Sequence, residues 1–194
     1  MPEYNPTRAD ALKLLREYNE NESLIKHALA VEGVMRYFAR KLGEDEEKWG
    51  ITGIIHDLDY EKFPESHCKK MEQILLEHSW PAEYIRAAMS HGWGICTDVE
   101  PKSNMEKVLY AIDELTGLVV TTALVRPSKS VLDTKASSVK KKWKDKRFAA
   151  SVDRSVIEKG IEMLAMDRTE VINWTIEGMR EVAEEIGLKG NPQA

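Results

Sequence analysis

Cysteine is scarce in this chain: Cys68 and Cys96 are the only two in 194 residues, and they form no CxxC pair. Nothing in the sequence links them, so both read as reduced thiols in a reducing compartment rather than as part of a disulfide framework. Long hydrophobic runs are missing too. No stretch approaches the roughly 20 apolar residues that span a bilayer, and the opening MPEYNPTRAD lacks the apolar segment of a signal peptide. The expectation is a soluble, cytoplasmic protein with no membrane partner. Internal repeats, low-complexity tracts and alternating apolar–polar windows that read as strands are also absent. The one ambiguous segment, Val119 to Val125, is rich in β-branched residues, which favour strands. No turn signal separates it from the helical pattern before it, so the helix is extended through it.

What is present is the composition of an ordinary globular protein, 42% hydrophobic and 31% charged. A chain of this size hides roughly 70% of its unfolded surface, enough for a real core. The periodicity is helical. Leu24, His27, Val31, Val34, Phe38 and Leu42 share one stripe, which Gly43 ends. Asp45 to about His56, Ser66 to His78, and Pro81 to Ser90 read as the next helices. Ser103-Asn104-Met105-Glu106 has capping-box spacing and starts a long helix through Asp113 to about Val125. Arg126-Pro127 stops it, because the residue before a proline is pushed out of the helical region. Further helices are expected over Ala136–Trp143, Val152–Met166 and Arg168–Ile186, the last capped by Asp167 and closed by Gly187. The fold class is all-α: a helical core over 1–125 with a C-terminal helical extension, 126–194, packed on it.

The chemistry is concentrated in few residues. Of five histidines, four fall into a pattern with two aspartates: His27, the pair His56-Asp57, His67, His91 and Asp113. Singly, His27 reads as a hydrogen-bonded core residue and His67 as a surface residue. Asp113 has no such plain reading, because a carboxylate within LYAIDELTGLV is costly to bury without a partner. A metal ion supplies one. Neighbours on a helix point about 100° apart, so His56 and Asp57 share a site most easily at a helix end. The turn-like Asp59, Pro64 and Ser66 place such an end there. His27 and Asp113 then approach from two other helices, as metal sites in bundles require. Imidazole with carboxylate suits Mn, Fe, Co, Ni or Zn rather than Ca. Cys68 directly follows His67, but the histidines suffice as ligands, and it reads as a thiol near a helix surface. His78 reads as a surface residue and Trp93 as a packing residue or a pocket wall. Glu114 and Thr116 read as groups that orient a histidine, or as plain helix positions.

This order resembles the H…HD…D signature of the HD superfamily of metal-dependent phosphohydrolases, carried by His27, His56-Asp57 and Asp113. His67 and His91 resemble the two further histidines of its binuclear branch. That branch includes HD-GYP-type cyclic dinucleotide phosphodiesterases and HD-type diadenosine tetraphosphate hydrolases. The resemblance runs from about Ser23 to Leu124, with Pro127 onward outside it. It implies an HD-domain helical bundle with two divalent transition-metal ions, one on His27, His56 and Asp113 and one on His67 and His91, bridged by Asp57. Two divalent cations opposed by two carboxylates stay net positive even with a bridging hydroxide. Such a site attracts a phosphate and lowers the pKa of bound water to about 7. Asp57, His67 and His91 are then the catalytic residues, and the expected substrate is a nucleotide or another small phosphorylated molecule. One departure matters. Many members follow the pair with an Ile-Gly-Lys-like stretch, whereas this chain reads Leu58-Asp59-Tyr60. Tyr60 stands where a lysine often assists the phosphate or leaving group, and Lys62 is the nearest replacement. Some HD proteins resembling myo-inositol oxygenase hold two irons on the same six ligands, and Tyr60 keeps that reading open. A metal-stabilised binding module is the third reading, against which the intact ligands argue.

Charge is unevenly spread. The net charge of −5 includes a segment from Arg126 to Arg147 with nine Lys or Arg and two Asp, +7 locally, which leaves −12 elsewhere. A nucleic-acid binder is basic over a broad face, so nucleic acid is not an expected partner. The strip Lys140–Arg147 with Trp143 is what such a partner would use. A small anionic ligand suits the distribution better. Arg126 and Lys129, directly after the Asp113 helix, are expected with Lys62 to contact the substrate phosphate. Oligomeric state is not legible.

Overall fold

The computed structural model describes residues 4–192, and among them it has nine α-helices, one 3-10 turn and no strand. In chain order these are α1 (Arg8–Tyr18), α2 (Glu22–Leu42), α3 (Glu46–Ile55), the 3-10 turn (Pro64–Ser66), α4 (Lys69–Glu77) and α5 (Ala82–Ser90). There follow α6 (Asn104–Leu124), α7 (Ala136–Trp143), α8 (Arg154–Leu164) and α9 (Arg168–Glu181). Local chemistry sets their ends. Asn21, Asp45, Ser103, Asp153 and Asp167 each accept a backbone N–H from the first turn they precede. Ser103 and Glu106 close the expected capping box. Gly43, at φ 72°, ends α2 in the left-handed conformation that glycine adopts without steric cost. The β-branched run stays helical to Leu124, and the Thr121 and Thr122 hydroxyls donate back to the carbonyls of Gly117 and Leu118. α1 has no counterpart in the sequence reading. Its signal is Thr7-Arg8-Ala9-Asp10, a capping box closed by aspartate instead of glutamate.

α2 is the axis of the fold. The pattern gives it one apolar stripe, yet every residue from Ala28 to Met35 is buried, because α3, α6 and α9 all pack around it. Leu42, expected on the stripe, is 39% exposed. Glu32 is buried on this helix as a charge held by two guanidinium groups. Arg8 donates to both its oxygens at 2.6 and 2.9 Å and Arg36 to one at 2.9 Å, which ties α1 to α2.

The C-terminal helices share the same core. A Cβ on Gly178 of α9 would sit 2.6 Å from Val34 Cα of α2, and one on Gly160 of α8 would sit 2.5 Å from Ala111 Cα of α6. Only glycine permits those approaches. Buried side chains of 1–125 and 126–194 form one continuous cluster. Between α7 and α8 the chain is gathered by Arg154, whose guanidinium donates to the carbonyls of Trp143, Asp145, Phe148, Ala149 and Val152. Trp143 is buried under Arg168, 5.1 Å from its ring, so the basic strip has no exposed stacking platform there. No described helix is long and apolar enough to cross a membrane.

Candidate metal centre

Helix ends supply two of the histidines. His56 and His91 are the C-cap residues of α3 and α5. The last carbonyls of a helix lack intrahelical partners, and each imidazole takes one: His56 Nδ1 donates to Gly53 O at 2.8 Å and His91 Nδ1 to Ala88 O. His67, in the turn before α4, donates from Nδ1 to Asp59 Oδ1 at 2.7 Å. With Nδ1 committed in all three, a neutral imidazole has its lone pair at Nε2, and all three Nε2 atoms face Asp57.

The distances separate two groups of ligand atoms. Asp57 Oδ1 lies 3.4 Å from His67 Nε2 and 3.3 Å from His91 Nε2. Asp57 Oδ2 lies 3.4 Å from His56 Nε2 and 3.9 Å from His27 Nε2. Asp113 Oδ1, from the middle of α6, approaches His27 Nε2 to 2.9 Å and His56 Nε2 to 3.3 Å. His27, His56, Asp57 and Asp113 form one group that could hold a metal ion, and Asp57, His67 and His91 form another.

As a purely organic cluster this arrangement is incomplete. His56 is fully buried and its Nε2 has no hydrogen-bond partner, although two carboxylates face it. His67 and His91 oppose their Nε2 atoms at 3.2 Å. Lone pairs so placed repel, and a cation between them reverses the sign. Ligand atoms about 2.0–2.2 Å from one ion stand roughly 3–3.5 Å from each other, and most of the spacings here fall in that range. The donor set therefore fits divalent metal ions. Electrostatics without a cation say the same. Burial favours neutral His56, but Asp57 and Asp113 outweigh it and raise its pKa well above the ordinary value. Burial likewise opposes ionisation of Asp57, but His56 and His91 hold it well below the carboxylate range, and His56 and His27 do so for Asp113.

A cavity of about 380 Å³ opens over the cluster, with Tyr60, Ile95, Glu114, Ser151, Val152 and Val156 among its walls. Burial pushes the Glu114 carboxyl up to about 7, with the Asp113 charge adding to it and a hydrogen bond from Asp153 N opposing it. Near neutral pH that group can give or take a proton.

A family model for the HD domain matches residues 24–147, a span that holds every residue of both groups. The chain belongs to the HD domain family. Its HD region is of metal-dependent hydrolase type, and it runs past Leu124 to Arg147. The turn after α6, α7 and the basic strip lie inside the HD match. No curated protein and no solved structure matched the chain.

Asp59 is the HD-site residue that the sequence reading missed, having taken it for a turn former. Its carboxylate is fully buried, and besides His67 it accepts Met71 N at 2.9 Å. That bond caps the first turn of α4, whose own N-cap residue, Cys68, offers no side-chain bond. The same clamp keeps His67 and Cys68, at φ 67°, out of the helix, which starts at Lys69 instead of Ser66. The available signal was the second aspartate of His56-Asp57-Leu58-Asp59. Cys68 is also corrected. It is buried, not near the surface, and its Sγ lies 2.6 Å from that of Cys96, so the two thiols join the His67 turn to the His91 turn.

The three predicted substrate contacts do not line the HD cavity. Lys62 Nζ donates to Glu17 O at 2.8 Å and lies over the Tyr18 ring. Arg126 pairs with Asp133 at 2.8 Å. Lys129, at φ 47°, sits in the turn packed against Gly190. The physical reason is the path after Pro127, which follows the C-terminal residues: Val131 N donates to Leu188 O and Asn191 N to Ser128 O. Trp93 packs on Tyr110 beneath Lys159 and does not wall the cavity. Glu114 does wall it but accepts from Asp153 N instead of orienting a histidine, and Thr116 Oγ1 is buried without a partner. His78 is exposed.

Proposed function

We propose that this HD protein is a phosphohydrolase working with two divalent transition-metal ions, one on His27, His56 and Asp113 and one on His67 and His91, with Asp57 shared. The observation that carries the reading is the orientation of Asp57, whose Oδ1 faces His67 and His91 while Oδ2 faces His56 and His27. A histidine-rich nitrogen and oxygen donor set suits Mn, Fe, Co, Ni or Zn. When bound, such ions offset charge on phosphoryl oxygens and lower the pKa of a bound water to about 7.

The chain's own contribution is orientation and proton handling. Asp59 and the carbonyls of Gly53 and Ala88 each hold a histidine proton at Nδ1, so that Nε2 is the atom left to take a metal ion. Glu114, beside the cavity, is placed to exchange a proton with a leaving oxygen.

Elemental analysis of protein purified with and without air tests the metal content, expected to be close to two ions per chain. Asp57→Ala should remove both ions, and His91→Ala should loosen one. Phosphate release from a phosphoester panel, with Mn and without oxygen, tests the reaction. One ion or none under both conditions, or turnover that requires oxygen, overturns the reading.

A further inference from the structure

The cavity over the metal centre has two faces of opposite chemistry. One is the histidine and aspartate cluster. The other is mainly apolar: Tyr60, Ile95, Val152 and Val156, with Gly92, Gly117, Cys96 and Ser151 also in the lining. Ile95 is 64% exposed and Tyr60 47% exposed, both at the rim, where a ligand would cover them.

Among the described residues, no lysine or arginine lines this cavity. Arg126 pairs with Asp133, Lys62 donates to Glu17 O, and Lys159 lies over the Trp93 ring at 3.3 Å. The acidic group outside the cluster is Glu114, which attracts no anion. A negative group placed away from the metal centre would therefore meet no cation, only the hydroxyls of Tyr60 and Ser151, and would lose its water for weak neutral partners, an expensive exchange. The volume of about 380 Å³ lies at the small end of ligand pockets, roughly 300–1,000 Å³, and leaves room for one organic group beside one phosphoryl group.

We infer that the substrate is a phosphate monoester whose only charge is the reacting phosphoryl group, and whose leaving alcohol is uncharged and presents an apolar or ring face to Tyr60, Ile95 and Val156. The inference rests on the phosphohydrolase reading and narrows it. Nucleoside triphosphates, dinucleotides and esters of charged alcohols are poor substrates on this account. Tyr60 and Ile95 set that choice by contact with the leaving group.

The test uses the full chain loaded with Mn and two matched pairs of esters. Adenosine 5′-monophosphate against adenosine 5′-triphosphate adds only phosphate charge. Phenyl phosphate against O-phosphoserine exchanges a neutral ring for a charged leaving group. In each pair the first member should show a kcat/KM at least about tenfold higher, the scale of one well-placed apolar or charge contact. Ile95→Arg, at an exposed position, should shift the ratio towards the triphosphate by about fivefold or more without changing metal content. A binding measurement stands beside the kinetics: phenylphosphonate, which cannot be hydrolysed, should bind about tenfold tighter than methylphosphonate by calorimetry. Equal or reversed preference within the ester pairs overturns the substrate inference and leaves the hydrolase reading intact. Cleavage of none of the four esters, with phenylphosphonate still preferred, overturns the hydrolase reading and keeps the ligand class.

Discussion

Replacing Asp59 separates the architecture of the site from its chemistry. Asp59 is fully buried and accepts two hydrogen bonds, from His67 Nδ1 at 2.7 Å and from Met71 N at 2.9 Å. Asp59→Ala leaves both donors without an acceptor. A buried unsatisfied group costs about 1–3 kcal/mol, so with two such groups the variant should lose about 2–6 kcal/mol of folding stability. That is a large share of the roughly 5–15 kcal/mol of a typical domain. Asp59→Asn is the sharper probe because it keeps the volume. Its amide oxygen can accept Met71 N, but its amide nitrogen then donates to His67 Nδ1 and forces the imidazole proton onto Nε2, towards Asp57 and His91. Stability should fall by only about 1–2 kcal/mol, while affinity for one metal ion should drop about tenfold to a hundredfold, the usual effect of losing a residue that orients a ligand. Urea unfolding of the metal-free proteins reads the first quantity, and competition with a chelator reads the second. If Asp59→Asn binds two ions as tightly as the parent, His67 does not ligate through Nε2, and the group of Asp57, His67 and His91 is wrongly assigned.

Metal affinity should depend on pH in a defined sense. Asp57 and Asp113 raise the pKa of His56 well above its ordinary value in the metal-free protein, so near neutral pH this imidazole carries a proton that an incoming ion must displace. Apparent affinity should therefore climb between about pH 6 and 8, by up to about tenfold per unit for one displaced proton. A flat profile in chelator competition contradicts the placement of His56. The close crossing of α2 and α9 gives a stability prediction. Gly178→Ala puts a Cβ 2.6 Å from Val34 Cα and should cost about 1–3 kcal/mol in urea unfolding, whatever alanine gains in helix propensity. Gly117→Ala, whose nearest neighbour would be a Val152 methyl at 3.7 Å, should lose nothing and is the control.

Helix termini were legible because they depend on side chains within a few residues of the backbone they satisfy. Ser103 with Glu106, Asp167 before α9 and Gly43 after α2 all act over that range. The histidines and aspartates at the cluster were legible for a different reason. Ligation demands particular atoms, so residue type and order along the chain narrow the choice even without coordinates. Asp59 escaped notice because the same residue type also makes turns, and only the approach of His67 and α4 turns it into a clamp. The pairing of Cys68 with Cys96 needed the His67 and His91 turns to meet. Arg126 was assigned to the substrate from its position after α6. Its direction is set by Asp133 and by backbone bonds to the distant C-terminal residues. Part of the apolar wall over the cluster, Val152 and Val156, lies outside the HD match, and it is held there by Arg154 and by the contact of Gly160 with Ala111. The amino-acid order thus determined which side chains could bind metal, since that is a property of their atoms. Only the packing of α8 against α6 decided that Val152 and Val156 would wall the cavity over those side chains, since that depends on contacts between residues far apart in the chain.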